Sequence, residues 1–280
     1  MKYPKILLTG GTGQVGYELQ NTLKTLGEIW APTRQEFDLA NPESLRTKIQ
    51  AYQPDLIINP AAYTAVDQAE SEPELAYTIN AEAPRVLAEE AHKLNIPLIH
   101  YSTDYVFDGT KTEPYAEEDE PNPLNVYGKT KIEGERAIQA VHDQYLILRT
   151  SWVYSPTRGK NFYRTMLRLF QEKEEIRVVD DQIGAPTSAR FLAEKTAEIL
   201  SQLKSKEQGE DRWGLYHLTE SETMSWYGFA QEIFENENNS PYKTQKIVSI
   251  SSAEYKTQAR RPKNSYLDLQ KIKAQFQLEI

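Results

Sequence analysis

Short apolar segments alternate with longer amphipathic segments along the first half of this chain, and no other feature of the sequence constrains the fold as strongly. The apolar segments cover residues 5–9, 28–32, 55–62, 97–107 and 145–154, with helical patterns between them. Strands separated by helices form βαβ units, whose crossovers make the strands parallel and cover both faces of the sheet. The sequence therefore predicts an α/β fold with a Rossmann-like, doubly wound parallel sheet.

The pattern becomes less regular after residue 154, which predicts a second, smaller α/β lobe at the C-terminal end. Short strands are expected there near 176–180 and 246–251. We expect residues 1–155 to form a dinucleotide-binding domain. Residues 156–280 are expected to form mainly a substrate-binding lobe that interleaves with it, and a helix near 187–204 is expected to return to the first domain.

The charge and composition exclude several classes of function. The 280 residues include 41 acidic and 32 basic side chains, and the formal net charge of −9 argues against a nucleic-acid partner. There is no cysteine, so disulfides and thiolate metal sites are excluded. The four histidines lack the spacing of metal ligands, so no metal is expected. Because no apolar run suits a signal peptide or a membrane span, we expect a cytoplasmic protein without membrane contact. Its expected oligomeric state is a monomer or a homodimer.

A glycine-rich loop follows the first predicted strand and precedes the first predicted helix. Residues 10–16 read GGTGQVG, and Gly10, Gly13 and Gly16 permit a tight turn. In this setting the backbone approaches a pyrophosphate, which lies at the positive N-terminus of the helix. A purely structural turn is the alternative, but the position after the first strand favours dinucleotide binding. Two glycine registers fit, so the spacing alone does not assign an enzyme class.

The end of the second predicted strand indicates which dinucleotide fits. A carboxylate there would hold the ribose 2′-hydroxyl, and a guanidinium would hold a 2′-phosphate. Thr33 and Arg34 occupy this position, which favours NADPH, while Glu36 keeps NADH open. A solvated surface charge is the alternative interpretation of Arg34. Asp38 follows a turn, where it can accept a hydrogen bond from the adenine amino group.

Tyr127 and Lys131 lie four residues apart in a predicted helix, so their side chains project from the same face. The pKa of an ordinary tyrosine is ~10, and a neighbouring ammonium lowers it by stabilising the phenolate. Such a pair can protonate the alkoxide that forms when hydride reaches a carbonyl. Two surface side chains one turn apart are the alternative. The polar end of the fourth predicted strand supports the catalytic interpretation. There Thr103 can form a hydrogen bond with a substrate oxygen, and Asp104 can orient a sugar.

Seven motifs occur in a fixed order over nearly the whole chain. They are GGTGQVG at 10–16, NPAAYTAVDQAESEPELAYTIN at 59–80, HYSTDYVFDG at 100–109, YGKTKIEGE at 127–135, RTSWVY at 149–154, DDQIGAPT at 180–187 and RRPKNSYLD at 260–268. The set resembles the dTDP-4-dehydrorhamnose reductases, within the extended short-chain dehydrogenase/reductases. This resemblance implies reduction of the C4 ketone of dTDP-4-dehydro-β-L-rhamnose (dTDP-4-dehydro-6-deoxy-L-mannose) by NADPH or NADH. The product would be dTDP-β-L-rhamnose, in the biosynthesis of dTDP-L-rhamnose for surface polysaccharides.

The resemblance also implies roles for individual residues. Tyr127 would be the proton donor, Lys131 would bind the nicotinamide ribose and lower the tyrosine pKa, and Thr103 would tune the oxygen site. The expected substrate contacts are Thr103, Asp104, Val66 and Trp152, although Trp152 could instead be a core residue. Together with the residues argued above, the expected cofactor contacts are Gly10, Gly13, Gln14, Val15, Thr33, Arg34, Asp38, Leu39, Ala61, Ala62, Thr64, Tyr127 and Lys131.

Three alternatives stay open at this point. A sugar-nucleotide epimerase or dehydratase shares the fold, the glycine loop and the Tyr-Lys pair. A dehydratase usually has two acidic residues after the threonine, whereas here Asp104 is followed by Tyr105, which weakens that interpretation. A non-catalytic binding subunit is possible in a different class, because the regulatory subunit of methionine adenosyltransferase resembles the same family. Arg260 and Arg261 could grip a diphosphate or form surface ion pairs.

Overall fold

A computed structural model describes residues 4–203, 212–237 and 242–280. The strands are β1 (Lys5–Leu8), β2 (Glu28–Trp30), β3 (Leu56–Asn59), β4 (Leu98–Thr103), β5 (Tyr145–Thr150), β6 (Val153–Tyr154), β7 (Glu175–Val179), β8 (Ile183–Gly184), β9 (Thr187–Ser188), β10 (Gly214–His217), β11 (Met224–Ser225) and β12 (Lys246–Ile250). The α-helices are α1 (Gln14–Thr22), α2 (Pro42–Tyr52), α3 (Val66–Ala69), α4 (Pro73–Tyr77), α5 (Ala83–Leu94), α6 (Val126–Val141), α7 (Phe162–Glu172), α8 (Ala189–Leu203), α9 (Trp226–Asn236) and α10 (Gln270–Phe276).

Six parallel strands form the central sheet, in the order β10-β5-β4-β3-β1-β2. All residues of β3 and β4 are buried, because helices cover both faces of the sheet. One face packs against α1, α8 and α10, and the other face packs against α2 and α5, with the end of α6. The predicted α/β fold with a Rossmann-like parallel sheet is confirmed. We call this sheet with its helices the first lobe.

The second lobe is built around the parallel pair β7 and β12, with α7 and α9 packed on it. Its core is rich in aromatic side chains, including Tyr163, Phe170 and Phe229. Two further short strand pairs are formed outside the central sheet. They are β8 with β11 and β6 with β9. The strands expected near 176–180 and 246–251 are β7 and β12.

Three local details differ from the expected pattern. The helical stretch that ends at Leu94 is divided into α3, α4, a π-helical turn at Thr78–Glu82 and α5. The expected strand 145–154 is interrupted at Trp152, whose φ of 48° lies in the left-handed region and ends β5 before β6 begins. β10 was not expected, yet it forms the edge of the central sheet beside β5.

The chain passes between the two lobes more than once. β10 and α10 lie beyond residue 155 but pack within the first lobe, as does α8, which contacts α1. The helix expected near 187–204 is α8, preceded by β9, and residue 204 lies outside the described residues. The domain division at residue 155 stays a prediction. None of the helices in the described part of the chain combines the length and the apolar composition that a membrane span needs.

Candidate active site

The glycine loop joins β1 to α1 at the carboxyl edge of the sheet. Gly10 has a φ of +58°, and its carbonyl accepts a hydrogen bond from the Gly13 amide at 2.8 Å, which closes the tight turn. Gly13 is the N-cap of α1 and no side chain caps the helix. The first amides of α1 are therefore available to a ligand, and the helix dipole favours a negative one.

A cavity of about 520 Å³ opens beside this loop and runs along the edge of the sheet to α6. Every expected cofactor contact except Thr33 lies on its wall. These residues are Gly10, Gly13, Gln14, Val15, Arg34, Asp38, Leu39, Ala61, Ala62, Thr64, Tyr127 and Lys131. The uncapped helix and the elongated cavity fit a dinucleotide, with its pyrophosphate at α1 and its nicotinamide end at α6. Sequence reasoning missed other wall residues, including Tyr101, Ser102 and Lys160.

The structure at the end of β2 distinguishes Glu36 from Arg34, the two charged side chains considered for the cofactor ribose. Glu36 Oε2 accepts hydrogen bonds from the Thr33 amide at 2.8 Å and from the Thr33 hydroxyl at 2.9 Å. These bonds lower the pKa of Glu36 and commit both residues to a local turn, which explains why Thr33 does not line the cavity. Arg34 is 75% exposed and pairs with Asp38 at 3.5 Å. A guanidinium is therefore accessible at this end of the cavity.

Helix α6 lies unusually close to the end of β4, and its sequence explains why. Asn125 caps the helix through its Oδ1, which accepts from the Gly128 amide at 2.8 Å, while its Nδ2 donates to the Arg260 carbonyl at 2.7 Å. A Cβ at Gly128 would lie 2.1 Å from the carbonyl oxygen of Tyr105, so only glycine permits this approach. The consequence is that Tyr127 is held against the strand end.

Tyr127 and Lys131 both line the cavity from α6, but their polar atoms have different partners. Burial raises the pKa of Tyr127 to about 12, and a hydrogen bond with Thr103 opposes that rise. The Lys131 ammonium nitrogen donates to the Tyr101 carbonyl at 2.7 Å and lies 3.1 Å from His100 Nε2. We had expected Lys131 to lower the Tyr127 pKa. The side chain that lowers it here is Thr103, because the lysine nitrogen donates to the strand behind the phenol.

The expected substrate residues at the end of β4 lie beside the phenol, outside the cavity wall. The Thr103 hydroxyl donates to Asp104 Oδ1 at 2.9 Å, and both side chains are buried. Burial raises the pKa of Asp104 to about 6, and hydrogen bonds with Ser265 and Thr103 oppose the rise. At neutral pH the Asp104 side chain is therefore still a carboxylate that can accept hydrogen bonds from a sugar.

Trp152 and Val66, the other two expected substrate contacts, lie on other elements and are not on the cavity wall. The indole of Trp152 stacks on Trp226, with ring centroids 3.5 Å apart and planes 7° from parallel. Val66 begins α3, and the next residue, Asp67, holds Arg261 through two hydrogen bonds of 3.2 and 2.6 Å. Because Arg261 is committed to Asp67, the surface-pairing interpretation fits it better than the diphosphate grip.

Sequence reasoning missed a buried ion pair and a buried histidine behind the site. Glu135 and Arg149 form a bidentate ion pair at 2.7 to 3.1 Å, and Ser102 donates to the same carboxylate. His100, one of the four histidines without metal-ligand spacing, is fully buried and contacts Lys131. The sequence did carry one signal, because both Glu135 and His100 are polar residues at positions where the α6 and β4 patterns require burial. Among the described residues, no group of acidic and histidine side chains is arranged to hold a metal ion.

Comparison with known proteins agrees with this geometry. A family model described as the RmlD substrate binding domain matches residues 4–280. The chain is 46% identical to dTDP-4-dehydrorhamnose reductase of Escherichia coli, covering 98% of this chain and 92% of that protein. It is 44% identical to the enzyme of the same name from Burkholderia thailandensis, over 99% and 94% of the two chains.

A solved structure extends the comparison to three dimensions. The dTDP-4-dehydrorhamnose reductase of Bacillus anthracis, crystallised in complex with NADP, superposes with a TM-score of 0.88 at 37% identity. The match covers 98% of this chain and 93% of that one. The chain described here belongs to the RmlD substrate binding domain family, within the dTDP-4-dehydrorhamnose reductases.

Proposed function

We propose that this protein reduces the C4 ketone of dTDP-4-dehydro-β-L-rhamnose to dTDP-β-L-rhamnose with NADPH, in the biosynthesis of dTDP-L-rhamnose. One observation carries the proposal. Tyr127 and Lys131 lie on the wall of the same cavity as the uncapped N-terminus of α1, in a chain that is 46% identical to a reductase of that name. A proton donor and a dinucleotide cradle are therefore combined in one cleft.

The residues toward the cofactor divide by the group that each would hold. The amides at Gln14 and Val15 suit the pyrophosphate, with Gly13 lining the turn beside it, and Arg34 suits a 2′-phosphate because its guanidinium is exposed at the cavity end. Lys131 would hold the nicotinamide ribose. When bound, the reduced nicotinamide supplies a hydride.

Tyr127 is the residue that we assign to proton transfer. With a pKa of about 12 the phenol is protonated at neutral pH, so it can act as an acid but not as a base before the reaction begins. As hydride adds to the C4 carbon, the carbonyl π bond opens and the oxygen takes the Tyr127 proton. The products are a secondary alcohol and a phenolate, which regains its proton from solvent. Thr103, which bonds the phenol, would orient it toward the C4 oxygen.

The sugar nucleotide would lie between the two lobes, which also supports the predicted division of the chain near residue 155. Asp104 would accept hydrogen bonds from the sugar hydroxyls, and Val66 would pack against the same ligand. The indole of Trp152 would offer an apolar face to the deoxysugar or the thymine, since its ring is held by Trp226. The absence of cysteine fits a reducing compartment such as the cytoplasm, and the net charge of −9 argues against a nucleic-acid partner. A monomer or homodimer is part of the proposal.

The test of this function is the stoichiometry of the cofactor. Purified protein is mixed with NADPH and the 4-keto sugar nucleotide, and the absorbance of the reduced nicotinamide is followed with the sugar products. We expect one cofactor oxidised for each ketone reduced. Conversion of the sugar without net loss of absorbance would indicate an epimerase, and ligand binding without conversion would indicate a non-catalytic subunit.

A further inference from the structure

Residues 155–161 connect β6 to α7 and pass beside the glycine loop; we call them the 155–161 connection. Its last residue, Asn161, donates from Nδ2 to the side-chain Oε1 of Gln14 at 2.6 Å, although the two residues are 147 positions apart in the chain. Gly159 has a φ of +74°, and a Cβ there would lie only 2.8 Å from the Cγ of Gln14. The connection therefore packs directly on the first residue of α1.

Further contacts hold the connection against both α1 and α7. The Oδ1 of Asn161 caps α7 by accepting from the Arg164 amide at 2.9 Å, and its Nδ2 also donates to the Ser155 carbonyl at 2.8 Å. The Arg158 guanidinium lies 3.8 Å from the centroid of the Tyr17 ring, which projects from α1. These contacts give the connection a defined position beside the glycine loop.

Lys160 is the side chain that this arrangement brings to the cavity. It follows Gly159 directly, and both residues lie on the cavity wall with Gln14. Lys160 is exposed, and no carboxylate in the described part of the chain forms an ion pair with it. An ammonium without an anionic partner is therefore next to the uncapped end of α1.

The basic side chains on the cavity wall are spread along its length. Arg34 lies beyond the end of β2, where it pairs with Asp38 at 3.5 Å, and Lys131 lies on α6, where it donates to the Tyr101 carbonyl. Lys160 is the one of the three that adjoins α1. The N-terminus of a helix carries a partial charge of about half an elementary unit, less than a pyrophosphate needs for neutralisation, so a further cation is stabilising there.

We propose that Lys160 binds the pyrophosphate of the nicotinamide cofactor, and that Gln14 and Asn161 are positioning residues that hold it beside the N-terminus of α1. The main chain of Gln14 faces the pyrophosphate, while its side chain holds the 155–161 connection. NADPH and NADH both contain the pyrophosphate, so Lys160 serves both cofactors equally. The inference rests on the cofactor of the proposed function, but it concerns binding alone and does not depend on reduction of a sugar.

The test is calorimetric titration of the full-length chain with NADPH, NADH and thymidine diphosphate, without the 4-keto sugar nucleotide. We expect Lys160→Met to raise the Kd for both cofactors by roughly tenfold, the contribution of one hydrogen bond to a charged group. The Kd for thymidine diphosphate should not change. Lys160→Arg keeps the positive charge and should bind both cofactors much as the wild-type chain does.

Lys173→Met is the matched control, because it removes the same exposed charge just beyond the other end of α7. It should alter none of the three Kd values. Unchanged cofactor binding in Lys160→Met would overturn the proposal. A loss for NADPH alone would assign Lys160 to the 2′-phosphate, and a loss for thymidine diphosphate alone would assign it to the sugar nucleotide; either result would also overturn the proposal.

Gln14→Met tests whether Gln14 acts through Lys160. Methionine keeps the length of the side chain but is a weak acceptor, and Asn161 keeps both its bond to the Ser155 carbonyl and its cap on α7. We expect the Kd for both cofactors to rise severalfold in the wild-type background and to rise no further in the Lys160→Met background. No rise in the wild-type background, or equal rises in the two backgrounds, would overturn the positioning role.

Discussion

Glu135 and Arg149 meet inside the first lobe with 1% and 2% of their side chains exposed, whereas the interior of the second lobe is filled largely by aromatic rings. Beneath the first-lobe site, the Glu135 carboxylate accepts directional hydrogen bonds from Arg149 and Ser102, which hold these buried groups in place. In the second lobe, the ring of Trp226 stacks on Trp152 of the β5–β6 connection, a contact without that directional constraint. Under the proposed function, the first lobe would hold the reacting groups in place and the second lobe would select the ligand by shape.

The largest effect should come from removing the acid of the first lobe. We expect Tyr127→Phe to lower kcat by roughly 10²- to 10⁴-fold, the contribution of a general acid, while the Kd for NADPH from fluorescence titration is unchanged. Tyr105→Phe is the matched control, since its ring packs edge-on against Tyr127 at 5.8 Å but we assign its hydroxyl no proton transfer. Equal losses in the two variants would refute the assignment of Tyr127.

The buried ion pair should dominate stability. Glu135→Leu leaves the Arg149 guanidinium buried without its partner, which should lower the free energy of unfolding by about 3–5 kcal/mol. Glu172→Leu breaks the pair with Arg168, whose side chains are 49% and 59% exposed, and should cost less than about 1 kcal/mol. Urea denaturation of both variants measures the contrast, and similar losses would show that the interior of the first lobe is not special.

A smaller, selective effect is expected in the second lobe. Trp226→Ala removes the ring that supports Trp152, so we expect KM for the sugar nucleotide to rise roughly threefold to tenfold, the value of one stacked pair. The Kd for NADPH should stay constant. Phe234→Ala, whose ring packs on Phe170 in the same lobe, is the control for general destabilisation. If NADPH binding weakened together with sugar binding in Trp226→Ala, the separation of roles between the lobes would be wrong.

The smallest effect should be at the exposed end of the cavity. Arg34→Ala should weaken NADPH binding severalfold and leave NADH binding unchanged, because only NADPH carries the 2′-phosphate and a 75% exposed cation contributes about 1 kcal/mol. Arg168→Ala removes a surface charge far from the loop and should alter neither. Equal losses for both cofactors would remove the case for a 2′-phosphate contact.

The sequence predicted those parts of the molecule that depend on local pattern. The first five strands, the glycine loop and the shared face of Tyr127 and Lys131 follow from periodicity and spacing, and the structure places them as expected. β10 was missed because its place in the sheet depends on pairing with β5, and Gly214 and its partner Leu146 are far apart along the chain. Local propensity carries no information about such a pairing.

The buried contact between Asn59 and His100, behind Lys131, was missed for a related reason. Asn59 and His100 are 41 residues apart, and only the parallel register of β3 and β4 sets them side by side. The stacking of Trp152 on Trp226 likewise joins the β5–β6 connection to the first residue of α9, which lies in a distant part of the chain. A polar residue in an otherwise apolar strand is the one sequence signal that could have directed attention to His100.

The central claim is that this protein transfers hydride to the C4 carbon of the sugar nucleotide, and an isotope measures it most directly. NADPH that carries deuterium at the transferable position is incubated with the protein and the 4-keto sugar nucleotide, and the sugar product is examined by NMR and mass spectrometry. The account predicts one deuterium at C4 in each product molecule and an equal amount of oxidised cofactor. A product without deuterium at C4 would contradict it.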